Sequence, residues 1–286
     1  MYNDHASTHG GSCLRRRVLP GFPLSLGITL FYVTLIIALP IGALIFKAAS
    51  LGPEEYWRIV SSPRAVASYR VTILSALGAT LTNLVFGLAL AWVLVRYDFP
   101  GKRFVDAIVD LPFALPTSVA GIALTALFAQ NSWLGSALAS IGVTVVYTPL
   151  GIMIAMFFTS LPFVVRTVQP VLEDLDPALE EAAQSLGGSD WSIFRMVILP
   201  LLTPALLAGL SLSFARSLGE FGAVIFIAGN RPNSTEITSL LAFIRLEEYN
   251  YQAAAAIAST MLFAAFVMLA VTNFLQARAL RYTARD

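Results

Sequence analysis

The sequence predicts an all-α polytopic membrane protein of about six transmembrane helices. Three observations carry that expectation. Apolar residues make up 57% of the chain and charged residues 12%, with mean hydropathy +0.75; a soluble domain holds about 25% charged residues. Several apolar runs reach the roughly 20 residues that a helix needs to cross a ~30 Å hydrocarbon core. The charges gather in short segments between those runs, above all in Asp176–Pro200, which reads DPALEEAAQSLGGSDWSIFRMVILP.

The formal charge of +1 implies no general attraction to nucleic acid. The single cysteine, Cys13, excludes an internal disulfide and a cysteine metal cluster. It lies in the polar N-terminal tail with both histidines, His5 and His9. Residues 1–23 form that tail, expected to be cytoplasmic and largely disordered. The membrane portion is expected over 24–286.

The first apolar run, 24–46, follows Arg15-Arg16-Arg17 and is closed by Pro40 and Lys47. It is longer than a signal-peptide apolar region and lacks a small-residue cleavage site, so a retained first helix is expected. Further spans are expected at about 72–95, 111–129, 145–165, 201–228 and 253–275. The run 201–228 is long enough to contain a break. The run 111–129 opens on Pro112 and Pro116. Proline frees a backbone carbonyl that must find a partner in protein or water. Either the LPFALPT segment is a bend facing a cavity, or the helix begins after Pro116.

Cations set the orientation. With the N-terminus inside, the inner segments hold Arg15, Arg16, Arg17, Arg96, Lys102, Arg103, Arg166, Arg195, Arg278, Arg281 and Arg285. The outer segments hold Lys47, Arg58, Arg64, Arg70, Arg231 and Arg245, and Arg216 lies within a span. The bias favours both termini inside. The first outer loop, 47–71, is expected to carry a short interfacial helix anchored by Tyr56 and Trp57. Asp106 and Asp110, at the inner edge of the third span, are expected to meet inner-loop basic groups.

This topology makes 166–200 the longest inner loop. Asp176 is a good N-cap and Pro177 suits the first helical position. Glu180 and Glu181 sit near the positive end of the helix dipole. Leu175, Ala178, Leu179, Ala182 and Leu186 form one apolar stripe at helical spacing. Gly187-Gly188 permits a left-handed end. Ser189 can cap a second helix, WSIFRMVIL, expected to stop at Pro200. Two short helices thus make a knuckle projecting from the bilayer, either packed on its own bundle or offered to a partner.

Arg216 and Glu220 are four residues apart within a span, hence on one helix face. Each costs roughly 2.5–3.5 kcal/mol at a helix centre, so both should face protein or water. They either neutralise one another and pin packing, or Arg216 supplies positive potential to an anion path while Glu220 positions it or gates. Ser213, Ser217, Thr117 and Ser118 are candidate hydroxyl donors on that path, or helix-packing residues. The sequence contains no G-x-x-x-x-G-K-[ST] pattern; Gly101-Lys102 lacks the upstream glycine. No histidine lies in a span and no nucleophile–base pair is suggested by spacing, so no catalytic, cofactor or metal site is expected in this chain.

The pattern EAA-x3-G-x9-V-x-L-P, here Glu181-Ala182-Ala183, Gly187, Val197, Leu199 and Pro200, resembles the signature of ATP-binding-cassette (ABC) importer permeases. That family usually has Ile where Val197 stands. RRVLPGFPLSLG, RYDFPG, DLPFALPTSVAG, TSLPFVVRTVQPVLE and SFARSLGEFGAVIFIAGN extend the likeness to the T-type permease subunits of sulfate/thiosulfate importers. The resemblance implies a type-1 permease fold with a core over about 69–275. It implies a bacterial inner-membrane subunit working by alternating access. It also implies that Glu181, Ala182, Ala183, Gly187, Leu199 and Pro200 couple to a separate ATPase. The implied partners are a W-type permease, two copies of a cytoplasmic ATPase that binds ATP and Mg, an outer sulfate/thiosulfate-binding protein, and membrane lipid. A molybdate or tungstate permease stays open as an alternative. So does a different class, a membrane enzyme or an ATP-independent secondary transporter.

Overall fold

The computed structural model describes residues 22–283. The expectations placed on 1–21, including tail disorder and the Arg15–Arg17 cluster, lie outside the described residues. The chain falls into two units, residues 1–46 and residues 47–286. Among the described residues all regular structure is helical, in fourteen α-helices and two π turns.

The first apolar run is one helical rod: α1 (Phe22–Val33), a π turn (Thr34–Ala38) and α2 (Leu39–Ala49). Pro40 does not close it. Leu39 N–H bonds Thr34 O, five residues back. That widened turn lets a proline, which has no N–H to give, sit inside a continuing helix. Lys47 falls in the last turn rather than beyond it.

In the larger unit, α3 (Pro53–Val60) precedes α4 (Pro63–Arg96), a helix of 34 residues. α4 starts well before the expected residue 72. Ser62 accepts the Ala65 N–H and Pro63 takes the first helical position, so PRAVASYR is helix and not loop. The interfacial-anchor expectation is half right. Trp57 is exposed, but the Tyr56 hydroxyl is 3.0 Å from Thr260 Oγ1 on the last helix.

α5 (Lys102–Ala114) and α6 (Thr117–Phe128) replace the expected straight span at 111–129 and meet at a 116° bend. Of the two readings of LPFALPT, the structure shows the bend. Leu115 is extended, as a residue before proline prefers, and Pro116 lacks the N–H that would continue the ladder. α7 (Trp133–Ser140) and α8 (Pro149–Glu173) follow. α8 carries Arg166 well inside a helix, so the inner loop proper begins at Asp174 instead of Arg166.

The knuckle helix α9 (Pro177–Ser185) precedes α10 (Asp190–Ile193), a second π turn (Phe194–Ile198) and α11 (Leu199–Leu218). Pro200 does not end the second knuckle helix; the rod runs from Asp190 to Leu218. The reason repeats that at Pro40: Leu199 N–H bonds Phe194 O, and the widened turn absorbs the proline. The run 201–228 does contain a break, at Gly219–Phe221, before α12 (Gly222–Ile227). α13 (Thr238–Glu247) and α14 (Tyr251–Thr283) complete the chain.

Contacts assign sides. α4 and α8 run parallel: a Cβ on Gly78 would meet Met153 and one on Gly87 would meet Val164. Their first residues lie with the 227–238 segment, since Arg64 bonds Glu236, Thr72 bonds Thr238 and Tyr147 N–H bonds Ile227 O. Their last residues lie with α9 and α10, where Leu94, Leu172 and Ile193 share one apolar cluster. The α5–α6 pair therefore joins the α9 side to the opposite side. It is a broken span, which with the five unbroken ones makes six candidate crossings among the described residues. Leu81, Val85, Phe86, Phe263 and Phe266 stay exposed, as lipid-facing positions would.

Candidate coupling loop and translocation path

The coupling loop is built on two caps. Asp176 accepts the Ala178 N–H at 2.9 Å and Pro177 opens α9. Gly187 adopts φ +84°, where a Cβ would be strained, and donates its N–H to Gln184 O. Gly188 N–H returns to Ala183 O, and Ser189 accepts the Ser192 N–H to start α10. α9 buries none of its residues fully. Ala183 faces the bundle, while Ala178, Leu179, Glu181, Ala182 and Leu186 face outward, Leu186 being 90% exposed. The apolar stripe is thus turned away from its own protein, apart from Leu175, which packs inward. Leu199 is half-buried and Pro200 exposed, both within the helical rod that leaves the knuckle.

Glu180 and Glu181 separate. Glu180 forms an ion pair with Arg96 at the end of α4, and Glu181 stays exposed. Asp106 and Asp110 on α5 do meet a basic group, Arg166 on α8, at 2.6 and 2.7 Å.

In the candidate path, Arg216 Nη1 lies 2.6 Å from Glu220 Oε2; Glu220 is 1% exposed and Arg216 30%. The other Glu220 oxygen accepts the Ala223 N–H at 2.9 Å and so caps α12. Glu220 therefore organises the break between α11 and α12. Ser213 and Ser217 face elsewhere. They are fully buried in a cluster with Asn83 of α4 and Ser160 of α8: Asn83 Nδ2 donates to Ser160 Oγ at 2.8 Å and Ser213 Oγ at 3.2 Å, and Ser217 Oγ donates to Ser160 Oγ. These hydroxyls bolt three helices together. Thr117 and Ser118 open α6 beside the other break. A Cβ on Gly222 would fall 2.1 Å from Thr117 Oγ1, and one on Gly121 would fall 2.4 Å from Ala223 O. The breaks of the two spans, at Leu115–Pro116 and Gly219–Phe221, are thereby held against each other.

Sequence reasoning missed Asn83, Ser160, Arg96 and the glycine pair Gly121/Gly222. A lone Asn inside a 34-residue apolar helix was the legible signal, because an amide in hydrocarbon needs a partner. Nothing in the local sequence around Arg96 pointed to Glu180, 84 residues away.

Broken membrane helices packed break to break, with a helical knuckle offered on one face, define a multi-pass transport permease. The family model described as "Binding-protein-dependent transport system inner membrane component" matches residues 83–281, and the chain belongs to that family. It is similar to the sulfate transport system permease protein CysT of Escherichia coli, 56% identical over 263 residues, covering 92% of this chain and 95% of the relative. The CysT protein of a Synechocystis species is 48% identical over 255 residues, covering 89% of each chain. Among solved structures, a subunit of a bacterial ABC transporter involved in the import of the acidic polysaccharide alginate shares the fold. Its TM-score is 0.73 at 17% identity, covering 90% of this chain and 96% of that one. A second alginate transporter structure, in complex with a pentasaccharide-bound periplasmic protein, has TM-score 0.74 at 18% identity, covering 90% and 94%.

Proposed function

We propose that this chain is the permease subunit of an ABC importer that moves sulfate and thiosulfate across the bacterial inner membrane by alternating access. The substrate class rests on relatives named sulfate transport permeases at 56% and 48% identity. The coupling part rests on one observation, the outward apolar face of α9, where Leu179, Ala182 and Leu186 are exposed. A separate ATPase covers that face, reading Glu181, Ala182, Ala183 and Gly187, with Leu199 and Pro200 carrying the rod onward. That ATPase binds ATP and Mg, in two copies; this chain has no ATP site and is not itself an enzyme. A W-type permease completes the membrane pair, and a sulfate/thiosulfate-binding protein delivers the anion from outside.

ATP can shift the bundle only through its differential affinity for the two states of the ATPase. The ATPase dimer closes on ATP, α9 moves with it, and the breaks at Leu115–Pro116 and Gly219–Phe221 repack to open the path outward. Arg216 supplies positive potential near that junction, neutralised and positioned by Glu220. Thr117 and Ser118 are hydroxyls at the start of α6, beside the Leu115–Pro116 break, whereas Ser213 and Ser217 hold the bundle together.

Labelled sulfate uptake in a strain deleted for this gene, with and without excess molybdate, tests the substrate. Uptake that disappears on deletion and ignores molybdate is expected. Undiminished uptake, with no second sulfate system present, would overturn the reading, and competition by molybdate would reassign the anion. Gly187→Pro tests the coupling loop: φ +84° and the Gly187 N–H bond both exclude proline. Membrane insertion should persist while the ATPase no longer co-purifies.

A further inference from the structure

The knuckle helix α9 is held to its bundle by little. It buries no residue fully, and its backbone links run only to the neighbouring turn, through Gly187 and Gly188. Among the described residues, Ala183 gives α9 an apolar contact with the bundle, and one polar side-chain interaction ties it to another helix: the ion pair between Glu180 and Arg96. Arg96 is the last residue of α4, the longest helix of the bundle. Its guanidinium carbon stands 5.2 Å from the ring centroid of Trp92, one turn earlier. Trp92 packs edge-on against Phe194 at 5.5 Å, and Phe194 stacks on Trp191 at 5.6 Å. Arg96 therefore joins two routes out of the knuckle, a charge contact from α9 and an aromatic contact from α10 and its π turn.

α4 is suited to carry a displacement inward. From Arg96 it runs as an unbroken helix past Asn83, about 20 Å away at 1.5 Å per residue. Asn83 is there bonded to Ser160 on α8 and Ser213 on α11. A packed helix bonded to its neighbours at Arg96 and again at Asn83 is the kind of physical connection through which two sites are coupled.

We propose that Arg96 is a positioning residue for coupling: through Glu180 it converts movement of α9 into movement of α4. Docking of the ATPase and transmission of its movement are then separate functions of neighbouring acids, Glu181 outward and Glu180 inward. The proposal rests on the reading of α9 as the ATPase-docking helix.

The test uses the full transporter reconstituted in lipid, with Arg96→Ala, Arg96→Lys, Arg96→Glu alone and as a charge swap with Glu180→Arg, and Leu186→Glu as a docking control. Three quantities are read for each: ATPase co-purification, ATP hydrolysis, and sulfate transported per ATP hydrolysed. Arg96→Ala should retain the ATPase and lower sulfate per ATP about tenfold. Arg96→Lys should lose less, and the charge swap should recover most of what Arg96→Glu alone loses. A merely structural role would lower protein yield and all three quantities together and would not be rescued by the swap, which would overturn the proposal. An unchanged transport-to-hydrolysis ratio in Arg96→Ala, with the ATPase bound and Leu186→Glu displacing it, would overturn the tether alone. Leu186→Glu that still co-purifies with the ATPase would overturn the docking reading, and the proposal with it.

Discussion

Gly121→Ala tests whether the two broken spans are locked backbone to backbone. The new methyl would stand 2.4 Å from Ala223 O, 2.8 Å from Ala223 Cα and 2.9 Å from Ala223 C. Carbon contacts are comfortable near 3.5 Å or more, so α6 must withdraw from α12 by about 1 Å. All three atoms it meets are backbone and cannot rotate aside. Overpacking of this kind costs about 1–3 kcal/mol, and the upper half applies here. Replacing a helical glycine by alanine returns about 0.5–1 kcal/mol. The net loss is then about 1–2.5 kcal/mol, a factor of about 5–70 in the folded ratio. Gly42→Ala is the control, because a Cβ there meets nothing within 4 Å. Reversible denaturation in mixed micelles gives the midpoints, and sulfate uptake in vesicles gives function. Gly121→Ala should lower the midpoint and reduce uptake further, since the displaced surface is the junction of the breaks. Equal midpoints for Gly121→Ala and Gly42→Ala would refute the close approach and with it the break-to-break arrangement.

Arg216→Gln leaves the buried Glu220 without its cation and should cost more than Glu220→Gln, which keeps an acceptor for the Ala223 N–H. Removing one partner of a buried pair costs about 3–5 kcal/mol, reduced to about half here because Arg216 is partly exposed. The double Gln variant should be more stable than the sum of the singles predicts, and additive midpoints would reduce the contact to coincidence. Asn83→Ala removes its hydrogen bonds to Ser160 and Ser213 and should cost about 1–2 kcal/mol by denaturation, typical interhelical bonds in membranes being worth about 0.6 kcal/mol before the cavity is added. Asp176→Ala removes the α9 cap, worth about 1 kcal/mol, and should speed hydrogen exchange of the α9 amides about fivefold while leaving α8 unchanged. Exchange that stays the same would mean that Asp176 does not cap α9.

The sequence by itself determined the class, the number of crossings and the knuckle. Those features are local: an apolar run long enough to span, an Asp-Pro start, a Gly-Gly end. It misplaced what Pro40 and Pro200 do, and it left the bend at Pro116 as one of two readings. At Pro40 and Pro200 the helix continues through a widened turn, and at Pro116 it bends by 116°. The difference lies in neighbouring backbone, since a carbonyl freed by proline is tolerated when a five-residue bond replaces the lost one. Tertiary structure alone decided which way the acids point. Glu180 and Glu181 are indistinguishable by spacing or dipole, but α9 docks so that one meets Arg96 and the other stays free. It also decided that Ser213 and Ser217 join Asn83 and Ser160 away from Arg216, because a residue's position on a helix face is written in the sequence and the identity of the helix opposite is not.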